Sequence, residues 1–306
     1  MIIFIFRIFF ILSISLVFLI FLLSFYISSR MLNFKKHSDE EIYQKCRSRG
    51  EFPEDFDELP KWDFKVYSPH GYPLKGFFIP GNSTNTVLFS HGYGGNRFAM
   101  VKFMHSFLRK GWNIAVFDYH RRGKGKKTYF THGIFETRDL RAVAEEVFRQ
   151  FPETNCFGLF GTSMGASIVL NYASMNPEIS FVIADCAYSD LFQVMKWQLA
   201  ERRLPGLAAE WLVRIAMSIS YLRTNLRMDL LNKPIDAVKK IRVPILFTHG
   251  KKDKMVPFQM SMEMAGVRSK EMKTMLFLQD GAGHGLSIIY DRNRYEEALW
   301  SFLGSL

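Results

Sequence analysis

Ser163, Asp253 and His284 are the residues whose types, order and surroundings could carry out nucleophilic catalysis. Ser163 stands between Gly161 and Gly165 in "GLFGTSMGASIVL" (158–170), where an apolar run gives way to a segment of helical period. A serine hydroxyl is a weak nucleophile and needs a base. His284, in "DGAGHGLS", is the one histidine after residue 253, and its glycine-rich surroundings suit a loop that carries an imidazole to the serine. Asp253, in "VPILFTHGKKDKMVP", follows a strand-like run and fits the acid; Asp185, at the end of "FVIAD", is the second choice. Such an acid holds the imidazole tautomer and stabilises the imidazolium without taking the proton.

The pattern Gly161-Thr162-Ser163-Met164-Gly165 is G-x-S-x-G in a strand–turn–helix setting, where the serine sits on a tight, strained corner. The helix that follows aims its first N–H groups and its positive dipole end at any charge developing near the hydroxyl. A tetrahedral oxyanion needs two such donors. The backbone N–H of Met164 is one. The other is expected from the loop after "NTVLFS", His91-Gly92-Tyr93-Gly94-Gly95, with Tyr93 as donor and His91 as a structural hydrogen-bonding residue.

These residues need a scaffold that brings distant loops together. After Lys61, apolar runs alternate with helix-period segments. "DFKVYS" and "LKGFFIP" read as an antiparallel hairpin, and "NTVLFSHG", "WNIAVFDY", "NCFGLFG", "SFVIADCAY", "VPILFTHG" and "TMLFLQ" as buried strands. "RFAMVKFMHSFLRKG", "TRDLRAVAEEVFRQF" with Thr137 as N-cap, "MGASIVLNYASMNP" and "RYEEALWSFL" read as helices. This alternation predicts an α/β fold with a mostly parallel sheet covered on both faces. Chemistry then belongs at the C-terminal strand ends. Residues 191–233 break the alternation and read as an inserted helical cap. "MSMEMAGVRSKEM" reads as a core-facing helix.

The first 30 residues are of another kind. "IFFILSISLVFLIFLLSFYI" (8–27) has no charge and is long enough to cross a bilayer. "FYISSRML" is a poor cleavage site, so the segment reads as an uncleaved single-pass anchor. Arg30, Lys35 and Lys36 follow it and Arg7 precedes it. The positive-inside rule places the main domain in the cytosol, whereas bacterial-type signal anchors export the domain behind them; both readings stay open. Residues 31–60 read as a linker or short helix, and 61–306 as the catalytic domain.

Composition narrows the partners. The net charge is +11 and 48% of residues are apolar, which supports a sizeable core and excludes a disordered chain. The basic residues form a loop and a juxtamembrane cluster without a nucleic-acid-binding module, so no nucleic-acid partner is expected. Cys46, Cys156 and Cys186 have no C-x-x-C spacing, so neither a disulfide framework nor a zinc site is read. Cys156 and Cys186, in strand-like runs, read as reduced core thiols.

"SHGYGGN" (90–96), "FDYHRRGKG" (117–125), "THGIFETRDL" (131–140), "GTSMGA" (161–166), "PILFTHGKKDKMVP" (244–257) and "GAGHG" (281–285) together resemble the α/β-hydrolases. More narrowly, they resemble bacterial membrane-anchored serine hydrolases related to the S33-peptidase and cinnamoyl-esterase branches. The resemblance runs over residues 64–303. It implies no metal or organic cofactor, an acyl-enzyme at Ser163, and water activated through His284. One loop departs from the family pattern. D-x-R-x-H-G-x-S is replaced by Asp118-Tyr119-His120-Arg121-Arg122-Gly123-Lys124-Gly125, followed by Lys126 and Lys127. It reads as a solvated loop or as a holder for an anionic headgroup or acidic substrate. The expected function is hydrolysis of small carboxylic or lipid-like esters at a membrane. Peptidase or amidase, thioesterase and acyltransferase activity use the same machinery and stay open, as does a non-catalytic anchored binding protein.

Overall fold

The computed structural model describes residues 1–33, 38–119, 129–231 and 233–306. The basic loop from His120 to Lys127, and Lys35 and Lys36, lie outside the described residues.

Eight strands form one sheet: β1 (Trp62–Tyr67), β2 (Pro73–Ile79), β3 (Asn85–Ser90), β4 (Asn113–Asp118), β5 (Cys156–Thr162), β6 (Phe181–Asp185), β7 (Ile245–Gly250) and β8 (Thr274–Gln279). Their order is β1-β2-β4-β3-β5-β6-β7-β8. β1 pairs antiparallel with β2 and β2 with β4, and every later pairing is parallel. The helices are α1 (Ile2–Leu32), α2 (Asp39–Ser48), α3 (Val101–Leu108), α4 (Ile134–Gln150), α5 (Met164–Ala173) and α6 (Leu191–Ala200). They continue with α7 (Gly206–Thr224), α8 (Met228–Leu231), α9 (Pro234–Val238), α10 (Gln259–Gly266), α11 (Ser287–Tyr290) and α12 (Arg292–Leu303).

The strands are apolar on both faces because helices cover both. Successive residues of β3 divide between two cores, as a pleated strand requires. Leu88 joins Leu140 and Val143 of α4 and Ile168 of α5. Val87 and Phe89 join Phe103 and Phe107 of α3 and Leu299 and Phe302 of α12. Register aligns the strand ends that matter: Ser90 lies opposite Gly161, Thr162 opposite Asp185, and Asp185 opposite Thr248. The loops after β3, β5, β6 and β7 therefore open on one edge.

Two expectations need correction. Thr137 does not cap α4, which begins three residues earlier, after Gly133. Glu136 closes that end by accepting from the N–H groups of Gly133 (2.8 Å) and Thr131 (2.9 Å), while the Thr137 hydroxyl donates back to the Gly133 carbonyl inside the helix. The methionine-rich segment is helical only as far as Gly266, and it buries Met260 and Met264 but exposes Met262.

The 191–233 segment forms α6, α7 and α8. Asp190 caps α6 through the Gln193 N–H (3.0 Å), and Asn225 ends α7 in the left-handed conformation. Gln198 of α6 donates to the Met255 carbonyl at 2.8 Å, which ties α6 to the loop after β7. The polar stretch before β1 also folds onto the sheet domain. Ser38 and Glu41 form a capping box on α2, Tyr43 packs edge-on against Phe98, and Phe56 is fully buried.

α1 has a window of mean hydropathy 2.9, long and apolar enough to cross a membrane. Most of it stands clear of the domain, but Ser24, Ser28, Met31 and Leu32 are buried. There Ser28 meets Ser220 of α7, Oγ to Oγ at 2.9 Å.

Candidate active site

Ser163 occupies the corner between β5 and α5 with φ 55° and ψ −120°, a backbone conformation that a non-glycine residue adopts only under constraint. Its N–H donates to the Asp185 carbonyl at 2.8 Å, and its own carbonyl receives the Ser167 N–H at 3.1 Å. The flanking glycines are sterically required. A Cβ on Gly161 would lie 2.4 Å from the Gly165 oxygen, and one on Gly165 would lie 2.1 Å from the Ser90 oxygen. Any side chain at either place would push the helix off the sheet and move the serine.

The other predicted loops converge on this corner. Gly92 runs beside the serine: a Cβ there would sit 3.2 Å from Ser163 Cβ and 3.8 Å from Ser163 Oγ. Tyr93 is the next residue, and Met164 opens α5. The first N–H groups of a helix have no acceptor within it, which leaves the Met164 amide unclaimed inside α5, next in the chain to Ser163. His91 hydrogen-bonds to backbone groups on both sides of its ring. Its Nδ1–H donates to the Gly92 carbonyl (2.8 Å) and its Nε2 accepts the Tyr119 N–H (3.1 Å), which holds the loop against the end of β4.

His284 and Asp253 are brought together. The imidazole Nδ1–H donates to Asp253 Oδ2 at 2.6 Å, a short charge-assisted bond. That bond fixes the tautomer and leaves Nε2 as the basic nitrogen. On the serine side, Gly285 passes Thr162: a Cβ there would be 3.5 Å from Thr162 Oγ1. Cys186 Sγ lies 3.9 Å from His284 Nε2. Asp185, the alternative acid, is engaged elsewhere. It accepts from Thr162 Oγ1 (3.0 Å) and Thr248 Oγ1 (2.7 Å) and so ties the strand ends together beneath the serine.

Asp253 is buried and still holds its charge. Burial pushes its pKa up, but hydrogen bonds from His249 and His284 outweigh that and hold the carboxyl well below the usual carboxylate range. Its other oxygen accepts the N–H groups of Met255 (2.7 Å) and Val256 (2.9 Å). His249 is a residue that the sequence reading passed over. Its Nε2–H is shared by Asp253 Oδ2 and the Val256 carbonyl, each at 3.1 Å, while Nδ1 accepts from Ser261 Oγ at 2.7 Å. It sits inside the apolar run "ILFTHG", where nothing but its distance of four residues from Asp253 marks it.

Cys186, Asp253 and His284 place a thiol, a carboxylate and an imidazole within 4.8 Å of one another. As a metal site this set is weak, because Asp253 and His284 Nδ1 already satisfy each other. The three cysteines are free thiols; Cys46 and Cys186 are buried, and burial pushes the Cys186 pKa up.

Comparison with known proteins places the chain in a family and a fold. The family model described as "Serine aminopeptidase, S33" matches residues 81–233. The chain is 30% identical over 285 residues to the uncharacterized protein YqkD of Bacillus subtilis, covering 91% of each. Among solved structures, the Pyrococcus furiosus esterase Pf2001 superposes with a TM-score of 0.68 at 22% identity, over 90% of this chain and 98% of that one. The Pyrococcus horikoshii acylaminoacyl peptidase superposes with a TM-score of 0.61 at 17% identity, over 80% of this chain and 41% of its own. These structural likenesses establish the fold, and the sequence matches establish the kinship. The chain belongs to the serine aminopeptidase, S33, family of the α/β-hydrolases.

Proposed function

We propose that the protein is a membrane-anchored serine hydrolase that cleaves carboxylic esters. The observation that carries this reading is the 2.6 Å bond from His284 to an ionised, buried Asp253, on a loop that reaches the strained Ser163 corner. Ser163 Oγ attacks the acyl carbon as His284 Nε2 takes its proton. The oxyanion is received by the backbone N–H groups of Tyr93 and Met164. Collapse expels the alcohol, protonated by the imidazolium, and leaves an acyl group on Ser163. Water, deprotonated by His284, then releases the acid. Asp253 keeps the imidazole oriented throughout.

The likeness to the Pyrococcus furiosus esterase, which spans 98% of that chain against 41% of the Pyrococcus horikoshii acylaminoacyl peptidase, favours esters over peptides. Anchoring rests on the uncharged run in α1 and on the burial of its last turns against the domain. A panel of p-nitrophenyl esters from acetate to palmitate tests the activity, with Ser163→Ala as control. Turnover is expected in the wild type, with a loss of about a millionfold in kcat for the variant. No turnover of any ester by folded wild-type protein would refute the esterase reading.

A further inference from the structure

The end of α1 makes contacts that a simple tether has no need of. The last carbonyls of a helix lack intrahelical donors. Here three of them are met by the catalytic domain: Arg30 O accepts from the Tyr93 hydroxyl at 2.5 Å, Met31 O from His132 Nε2–H at 3.1 Å, and Leu32 O from the Phe130 N–H at 3.2 Å. The Tyr93 ring is clamped as well, stacked on His132 at 5.3 Å and edge-on to Phe130 at 5.5 Å. His132 itself has a left-handed φ of 54°, and its carbonyl accepts from the Tyr188 hydroxyl at 3.1 Å. On the other side of α1, Arg223 of α7 donates to Ser29 Oγ at 2.9 Å and lies over the Phe25 ring. The helix end is thus seated from two sides, and one of its seats is the side chain of the residue next to Gly92, which borders Ser163.

We propose that the last turn of α1 is a positioning element of the active site: its Arg30 and Met31 carbonyls fix Tyr93 and His132, and through them the loop whose amide receives the oxyanion. This rests on the serine-hydrolase reading above. The phenol ring has few internal freedoms, so anchoring its hydroxyl fixes the backbone that carries it. Displacement of an oxyanion donor by a fraction of an ångström weakens transition-state stabilisation far more than substrate binding. Membrane anchor and catalytic geometry are therefore one unit, and a chain whose α1 is unseated turns over slowly even when folded.

Tyr93→Phe tests this in the full chain in detergent micelles, because it deletes the bond to Arg30 but keeps the ring and the backbone N–H. Rates are measured on an ester and on its thiono analogue, whose sulfur fits an oxyanion pocket poorly. The expected result is a fall in kcat on the ester of about tenfold, with KM changed by less than about twofold. The ester-to-thionoester rate ratio falls by a similar factor. A purely structural role lowers both rates together, so an unchanged ratio overturns the proposal. Ser28→Leu approaches from the opposite side, wedging α1 away from Ser220 without touching the loop, and the same fall in ratio is expected. A wild-type ratio in folded Ser28→Leu protein also overturns it. Failure of a fluorophosphonate to label wild-type Ser163 is a different result: it refutes the underlying hydrolase reading and this proposal with it.

Discussion

Asp253, in the loop after β7, and Asp139, on α4 where it faces the β1–β2 hairpin, are both buried carboxylates, yet their pKa values move in opposite directions. Burial pushes both pKa values up. Asp139 receives two hydroxyl donors, Ser68 at 2.5 Å and Tyr72 at 2.8 Å, and is left with a pKa raised to about 7. Asp253 receives two imidazole N–H groups and two backbone N–H groups, and its pKa is held far down. Burial therefore does not set the direction in which a carboxylate's pKa moves here; the number and kind of its donors do. The Asp253 loop spends four donors on keeping one anion, which a mere structural turn does not require. The hairpin–α4 contact shows what the same fold does with a carboxylate that has only to hold two elements together.

The comparison breaks most severely at Asp253→Asn. The amide keeps the shape but favours the wrong imidazole tautomer, so kcat should fall by about ten thousandfold while the fold is retained. Near wild-type turnover would move the acid role away from this residue. Next comes His249→Phe, which removes one donor from Asp253 and leaves the catalytic residues in place. We expect kcat to fall by about tenfold together with a lower Tm, read by ester kinetics and thermal unfolding. A normal kcat would show that His249 serves only the strand.

The smallest effect is expected from Asp139→Asn, with ester turnover within about twofold of wild type. Its signature lies in stability against pH. An unfolded aspartate titrates near pH ~3.9, and the folded Asp139 near 7. Between those values the folded state holds a proton that the unfolded state has lost. The contribution of Asp139 is thus fully present below that window and fades as the pH rises through it. Asp253 has the opposite sign: its contribution is present above the unfolded value and fades only as the pH falls through its depressed folded pKa. Asp139→Asn should accordingly flatten the decline of Tm between about pH 4 and 7. An unaltered slope would mean that Asp139 is already ionised in that range.

Much of this site was legible in the sequence because local pattern and chemistry coincide there. The G-x-S-x-G corner, the glycine-flanked His284 and the aspartate after a strong strand each carry a local signal, and the mostly parallel sheet follows from apolar runs alternating with helix-period segments. Thr137 misled because a threonine ahead of an amphipathic run looks like a cap, whereas the side chain of Glu136 reaching back to Gly133 decides where α4 starts. His249 hid inside an apolar strand, where a histidine reads as core. The seating of α1 on Tyr93 joins residues 63 apart in the chain, and no periodicity encodes such a contact. It follows from burying a helix end whose carbonyls must find donors.

The central claim is that Ser163 is the nucleophile, made reactive by His284 and Asp253. A fluorophosphonate probe followed by peptide mass spectrometry tests it most directly. The account predicts one adduct, on Ser163, absent in Ser163→Ala and formed far more slowly in Asp253→Asn. An adduct on another residue, or labelling that persists in Ser163→Ala, would contradict it.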